Sequence, residues 1–396
     1  MKVAILATVV GVVLVAGVVV AVTFGTASPA HSASALATQV PSTAPAIPTA
    51  QPTQRPSPSP TPPAPLQVMS ISPASGASGV NGTSAVTVTF SAPLAPTSPL
   101  PTFSPAISGT WHAGSGSTMV FTPTTPVEPT TEVTLNVPGG SSGVRSDKGG
   151  RLAKSVSASF ETADWSTLRL EQVLAQLGYL PLSWAPDGSS PAATDYAGQI
   201  SAAYAYSAPA GKFTWQAGYP SELTSQWHAG QPGLILAGAL RAFQADHGLE
   251  MTGEISSALW QDILAALAKG EDNPHGYSFA VGNKASPETL TVWHEGKEVF
   301  HGLTNSGISV SPTVDGTFPV YLRYRNQVMK GTNPDGSKYA DPVEFVSYFN
   351  GGDAVHSYYR PSYGFPQSLG CLELPLASAQ KVWPYLTYGT LVTVIG

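Results

Sequence analysis

Hydrophobic positions change rhythm several times along the chain, and each change marks a segment. From Val3 to Gly25 there is no charge and nearly every residue is Val, Ala, Leu, Ile or Gly, a run long enough to cross a bilayer at about 1.5 Å per helical residue. From Val68 to Thr162 the pattern is short alternating runs, such as Val86-Thr87-Val88-Thr89-Phe90 and Glu132-Val133-Thr134-Leu135-Asn136-Val137, separated by Gly, Pro, Ser and Asp. That spacing predicts half-buried strands in a β-sandwich. After Asp164 the period lengthens. Leu170, Val173, Leu174 and Leu177 fall at i, i+3, i+4, i+7, as do Leu236, Ala239, Leu240 and Phe243, and Trp260, Ile263, Leu264 and Leu267, which predicts three amphipathic helices. Gly178 and Gly248 stand where helix C-terminal glycines belong. From Gly276 alternation returns, with Thr289–His294, a Glu295-Gly296 turn and Lys297–His301 reading as a hairpin, and with Gly316–Arg323 and Gly389–Ile395 continuing the sheet. Between these strands the Gly/Asn/Tyr-rich stretch from Asn326 to Gly352 reads as a long loop covering a site.

Residues 1–26 are therefore a transmembrane anchor or a signal peptide. Small residues at Ala33-Ser34-Ala35 offer a processing site, while the apolar run exceeds the roughly 7 to 15 residues of a usual signal core and favours an uncleaved anchor. Lys2 and the terminal amine keep that end inside, so either reading places the remainder outside the cytoplasm, with the membrane a partner through this segment. Residues 27–66, with Pro-Ser-Pro-Ser-Pro-Thr-Pro-Pro at 56–63, hold too few apolar side chains to offset the entropy of ordering and read as an extended linker. Charged residues are 11% of the chain and the net charge is −6, so no basic surface suggests nucleic acid as a partner.

Composition draws attention to the one cysteine, Cys371. A single cysteine cannot form an internal disulfide, and a free thiol outside the cytoplasm is open to oxidation, so its presence points to nucleophilic chemistry. A free thiol has a pKa near 8.5, so an imidazole must accept its proton or stabilise the anion; His356, upstream with 14 residues intervening, is the candidate. Gly370, directly before Cys371, leaves the backbone unobstructed, which lets an acyl substrate approach and lets main-chain N–H groups face a developing oxyanion. The remaining histidines show no paired metal-ligand spacing, and neither a metal nor an organic cofactor is expected.

Three resemblances give these segments names. Residues 67–162 resemble bacterial Ig-like domains through Phe90-Ser91-Ala92-Pro93, Asp147-Lys148-Gly149-Gly150 and Phe160-Glu161-Thr162. Residues 163–270 resemble the small peptidoglycan-binding helical domain at Leu174–Tyr179 and Ala242–Leu249 with Gly253, interrupted by an insertion at 183–231; a bundle that only buttresses the next domain is the alternative. Residues 276–396 resemble the YkuD-type catalytic domain of bacterial L,D-transpeptidases through Gly316-Thr317-Phe318-Pro319 after a Thr-Asn-Ser-Gly turn, His356, Ser368-Leu369-Gly370-Cys371 and Gly389-Thr390-Leu391-Val392. The expected fold class is thus multidomain and mainly β with a small α domain: an Ig-like β-sandwich, a three-helix peptidoglycan-binding-like domain and a β-rich YkuD-like catalytic domain.

The last resemblance implies that Cys371 attacks a peptidoglycan tetrapeptide stem at its third residue, releases terminal D-Ala and passes the acyl group to an amine of a neighbouring stem, giving a 3→3 cross-link. His356 would donate and accept the proton, the Ser357 carbonyl would orient the imidazole, and the backbone at Gly370 would hold the oxyanion. Ser368, Tyr321, Arg360 and Glu373 are the candidate substrate-binding residues, with stem peptides and wall glycan as partners. The family usually has His where this chain has Leu369 and Arg or Asn where it has Glu373; Arg360 is expected to pair with Glu373 or to meet a substrate carboxylate in its place. An L,D-carboxypeptidase, with water as acceptor, and a non-catalytic wall-binding scaffold are the competing readings.

Overall fold

The computed structural model describes residues 61–396, which form one compact unit. The apolar run at 1–26 and nearly all of the linker lie outside the described residues, and among the described residues no helix is long and apolar enough to cross a membrane.

The first part is a two-sheet sandwich. Strands β1 (Val68–Ser72), β2 (Ala77–Val80), β3 (Val86–Phe90), β4 (Thr102–Ser104), β5 (Gly109–Ala113), β6 (Thr118–Pro123), β7 (Glu132–Val137) and β8 (Val156–Thr162) form sheets ordered β1-β3-β6-β5 and β2-β8-β7-β4. Period-2 alternation sends Val86, Val88 and Phe90, with Val133, Leu135 and Val137, into one core. That core begins inside the segment whose composition reads as linker: Leu66 is buried there and bridges to Leu152.

The second part holds α1 (Thr167–Gln176), β9 (Leu182–Pro186), α2 (Tyr196–Ala202), β10 (Gly211–Trp215), α3 (Ser221–Thr224), α4 (Leu234–Asp246) and α5 (Ser257–Lys269). Helices α1, α4 and α5 occupy the three periodic stretches. Ser166 and Ser256 cap α1 and α5 through hydrogen bonds from the Arg169 and Leu259 amides, and Gly178 and Gly248 take φ of 73° and 65° just past α1 and α4. The insertion is ordered into the β9–β10 ribbon and the two short helices. Tyr196 and Gln261 both donate to Glu128 of the sandwich, at 2.8 and 2.9 Å, which ties the first two parts together.

The third part comprises β11 (Ser278–Asn283), β12 (Thr289–His294), β13 (Lys297–Leu303), β14 (Gly316–Pro319), β15 (Leu322–Thr332), β16 (Lys338–Asn350), β17 (Asp353–Ser357), β18 (Leu372–Leu374), α6 (Leu376–Val382) and β19 (Leu391–Ile395). One sheet runs β13-β12-β11-β19-β14 and the other β15-β16-β17-β18. The β12–β13 hairpin turns at Glu295 (φ 49°) and Gly296 (φ 70°), the pair of positive φ values that a two-residue hairpin of this twist requires. Strands β11 and β19 at the centre of the five-stranded sheet are buried on both faces. Ala280, Val292, Val392 and Val394 pack against Phe345, Phe349, Val355 and Leu372 of the second sheet, while Phe279, Val281 and Leu391 enter the core of α1, α4 and α5. The helices and the five-stranded sheet therefore share one hydrophobic core.

The stretch from Asn326 to Gly352 is not a loop. It is a long antiparallel hairpin, β15 with 11 residues and β16 with 13, closed by the turn Asn333-Pro334-Asp335-Gly336-Ser337 with Gly336 at φ 86°. Its outer half, residues 326–341, is largely exposed and carries little alternating apolar signal, so backbone pairing and the turn residues hold it, while the inner half of β16 buries Val343, Phe345, Val346 and Phe349.

Candidate active site

Strands β17 and β18 run parallel, with Val355 opposite Leu372, His356 opposite Glu373 and Ser357 opposite Leu374. Cys371 immediately precedes β18, so its side chain and that of Glu373 leave the same face, the face that His356 also occupies by register. Cys371, His356, Ser368, Arg360 and Glu373 all line one open cleft of about 800 Å³. The β15–β16 hairpin forms another wall of it with Gln327, Met329, Tyr339, Asp341 and Tyr348.

The imidazole of His356 is buried, at 3% exposure, and its Nδ1 lies 2.9 Å from the carbonyl oxygen of Ser357. A carbonyl only accepts, so Nδ1 carries the proton and Nε2 keeps its lone pair. Burial holds the His356 pKa below the usual imidazole value; the Ser357 carbonyl and Glu373 pull upward and Arg360 pushes down. The thiol of Cys371 is pushed up to about 12 by burial, against the pull of the Ala354 amide, with Asp353 and Glu373 adding to the rise. The sulfur sits 3.7 Å from the Gly352 carbonyl oxygen. The thiol and the imidazole are thus both neutral at rest and line the same cleft.

The loop carrying the nucleophile is held from several sides. The Gly370 amide donates to Ser368 Oγ at 3.1 Å, and Ser368 Oγ donates to the Cys371 carbonyl at 2.6 Å. Gly370 has φ +123°, and a side chain there would collide with Asp353 Oδ1, so glycine is required by both conformation and space. The amides of Gln367 and Ser368 donate to the Ser306 carbonyl at 2.8 and 2.9 Å. Ser306 in turn donates twice to the buried Glu288, from its amide at 2.6 Å and its hydroxyl at 2.7 Å. Because Gly370 N–H is engaged by Ser368, the oxyanion role given to it requires that bond to be released.

Arg360 and Glu373 form a bidentate pair, Nε to Oε2 and Nη2 to Oε1, each 2.8 Å. Arg360 Nη2 also donates to the Gln367 carbonyl at 3.0 Å, and its guanidinium stacks 4.7 Å from the Tyr358 ring centroid. Tyr321 falls outside the cleft wall, contrary to the reading from sequence. It sits just before the hairpin, and its hydroxyl donates to the Gly351 carbonyl; Tyr339, Tyr348 and Tyr358 line the cleft in its place. Two site residues escaped sequence reasoning. Glu288 stands far from Cys371 in the chain, and Asp353 carries no motif; burial raises the Asp353 carboxyl to about 6, opposed by the Val314 amide and Asn350.

Two family models match the chain: the bacterial Ig-like domain over residues 62–162 and the L,D-transpeptidase catalytic domain, YkuD, over residues 278–394. No curated protein sequence matches it. Among solved structures it is similar to an L,D-transpeptidase from Mycobacterium smegmatis, with 15% identity over 84% of this chain and 99% of that one and a TM-score of 0.27. It is also similar to L,D-transpeptidase 3 from Mycobacterium tuberculosis carrying a faropenem-derived adduct (15%, 83% and 98%, 0.28) and to the catalytic domain of the E. faecium enzyme (25%, 30% and 95%, 0.28). At these TM-scores the structural likenesses add no weight to the two domain matches. The chain carries a bacterial Ig-like domain followed by a YkuD-type L,D-transpeptidase catalytic domain, and it is an L,D-transpeptidase, an acyltransferase of peptidoglycan.

Proposed function

We propose that the chain forms 3→3 cross-links between peptidoglycan stem peptides through a thioester on Cys371. The observation that carries this reading is the placement of Cys371 and His356 on one face of the β17–β18 pair, opening into one cleft, with Nε2 left unprotonated by the Nδ1 bond to Ser357. In the first half-reaction His356 Nε2 takes the thiol proton as sulfur attacks the carbonyl of the third stem residue. The tetrahedral adduct collapses, the C–N bond to terminal D-Ala breaks, and His356 returns the proton to the departing amine. In the second half-reaction an amine of a neighbouring stem attacks the thioester, His356 takes its proton, and the thiol leaves with that proton restored. Main-chain N–H groups beside Cys371 are the candidate donors to the oxyanion.

The helices are read as a buttress for the five-stranded sheet of the catalytic domain rather than as a separate wall-binding module. The shared core of Phe279, Val281 and Leu391 with α1, α4 and α5 favours this reading. With residues 1–26 as anchor or signal peptide, the enzyme works on the outer face of the membrane.

Intact-mass measurement after exposure to a carbapenem tests the nucleophile: one covalent adduct is expected on the wild type and none on Cys371→Ser. Incubation with a tetrapeptide donor then separates the two enzymatic outcomes. Cross-linked dimers support transpeptidation, tripeptide alone identifies the carboxypeptidase, and a wild type that gains no adduct overturns the enzymatic reading.

A further inference from the structure

Glu373 is an unusual neighbour for a catalytic base. It stands directly opposite His356 in the parallel register, it is 5% exposed, and a carboxylate there favours the protonated imidazole. A general base must be unprotonated to accept the thiol proton. Without compensation, Glu373 would work against the chemistry two residues away.

The compensation is built into the loop after β17. Arg360 occupies both carboxylate oxygens of Glu373, and the arginine is itself fixed at several points. Its amide donates to Tyr363 Oη at 3.1 Å, Tyr363 donates to the Tyr358 carbonyl at 2.6 Å, and the guanidinium lies over Tyr358 and bonds the Gln367 carbonyl. A bidentate guanidinium held by this many contacts is pre-organised, and little entropy is lost in keeping it on the carboxylate.

We infer that Arg360 is a positioning residue that neutralises Glu373 and so keeps His356 in its unprotonated form for proton transfer from Cys371. The charged and titratable groups around the imidazole are Glu373 on β18, Arg360 and Tyr358 on the loop after β17, Asp341 on β16 and Cys371 itself. Of the two carboxylates, Glu373 is in direct register and is the one that Arg360 holds. Burial sets the low pKa of His356, and the opposing pulls of Glu373 and Arg360 on it have the signs this inference needs. The pair also ties the nucleophile loop, through Gln367, to the strand that bears the base.

This inference rests on the assignment of Cys371 and His356 as nucleophile and base, and its test keeps the two apart. The side-chain resonances of His356 are titrated by NMR in the full chain for wild type, Arg360→Gln, Glu373→Gln and the double variant, which needs no activity; carbapenem acylation is followed over the same pH range. Arg360→Gln is expected to raise the His356 midpoint by half a unit or more and to move the acid limb of acylation with it. The double variant is expected to return both toward wild type. Loss of folded signal in Arg360→Gln leaves Glu373→Gln, which is expected to lower the midpoint. An unchanged midpoint in Arg360→Gln, a double variant shifted as far as that single one, or a Glu373→Gln midpoint that does not fall overturns the inference. A wild type that titrates as described yet never acylates overturns the catalytic assignment instead.

Discussion

Gly238 in α4 and Gly389, just before β19, meet backbone to backbone: a Cβ on Gly238 would stand 2.6 Å from the Gly389 carbonyl oxygen, and one on Gly389 would collide with the Gly238 carbonyl. The helix can press this closely only because neither residue has a side chain. That contact lets Phe279, Val281 and Leu391 complete the helical core, and through β11 and β19 it fixes the sheet on which the second, catalytic sheet rests.

Gly238→Val should therefore destabilise the helical and catalytic parts together, by about 1–3 kcal/mol for an overpacked contact. Gly389→Val should be worse, because its φ of +79° adds backbone strain. A fragment beginning at residue 276 should be poorly soluble, since Phe279 and Leu391 each lose roughly 1.5–3 kcal/mol of burial. Thermal denaturation and analytical size exclusion check all three; a well-behaved, fully active 276–396 fragment would show that the shared core is dispensable.

Acylation should not depend on a pre-formed thiolate. With the thiol near 12 and His356 below its usual range, the rate should climb through a midpoint below about 6.5 and then stay level across neutral and mildly alkaline pH. His356→Ala should lower it by about 10²–10⁴-fold. Iodoacetamide labelling without substrate should be slow at neutral pH, and faster in Asp353→Asn, because removing that charge lowers the thiol pKa. Rapid labelling of the wild type at pH 7 would contradict this picture.

Stability should respond to the same groups with opposite signs. His356 binds its proton less tightly when folded, so the unfolded chain takes up protons first and stability declines as pH falls below about 6.5. The Asp353 carboxyl holds its proton to about 6 when folded against 3.8 otherwise, so its contribution is present below 3.8 and is lost as pH rises through 6. Urea midpoints across pH 4–8 should show a weaker acid-side decline for His356→Gln and a relative gain above pH 6 for Asp353→Asn.

The outer part of the hairpin should govern substrate affinity more than chemistry. Joining Lys330 to Ala340 through Asn-Gly keeps the register and removes Asn333, Pro334 and Tyr339 from the cleft wall. The KM for a tetrapeptide donor should rise on the order of tenfold, equivalent to about 1.4 kcal/mol, while carbapenem adduct formation persists. Equal loss in both assays would place the hairpin tip in the chemistry itself.

Local signals settled much of this protein in the chain alone. Alternation set β3, β7 and the β12–β13 hairpin, the 3.6-residue period set α1, α4 and α5, positive-φ glycines ended two of those helices, and the order of His356, Gly370 and Cys371 marked the catalytic segment, because each depends on neighbours a few residues away. What lay beyond that range needed the fold. The outer half of the hairpin, residues 326–341, left little apolar rhythm to read, since its faces meet solvent or the cleft, and the strand signal of residues 343–349 could not reveal its partner. Glu288 reaches the nucleophile loop only because β12 and the turn after β13 bring it under Ser306. Tyr321 looked like a cleft residue and proved to hold the Gly351 turn. The register of β17 against β18 decides that Glu373 faces His356 and that Arg360 must answer it, and strand register is a property of pairing that no single strand's sequence contains.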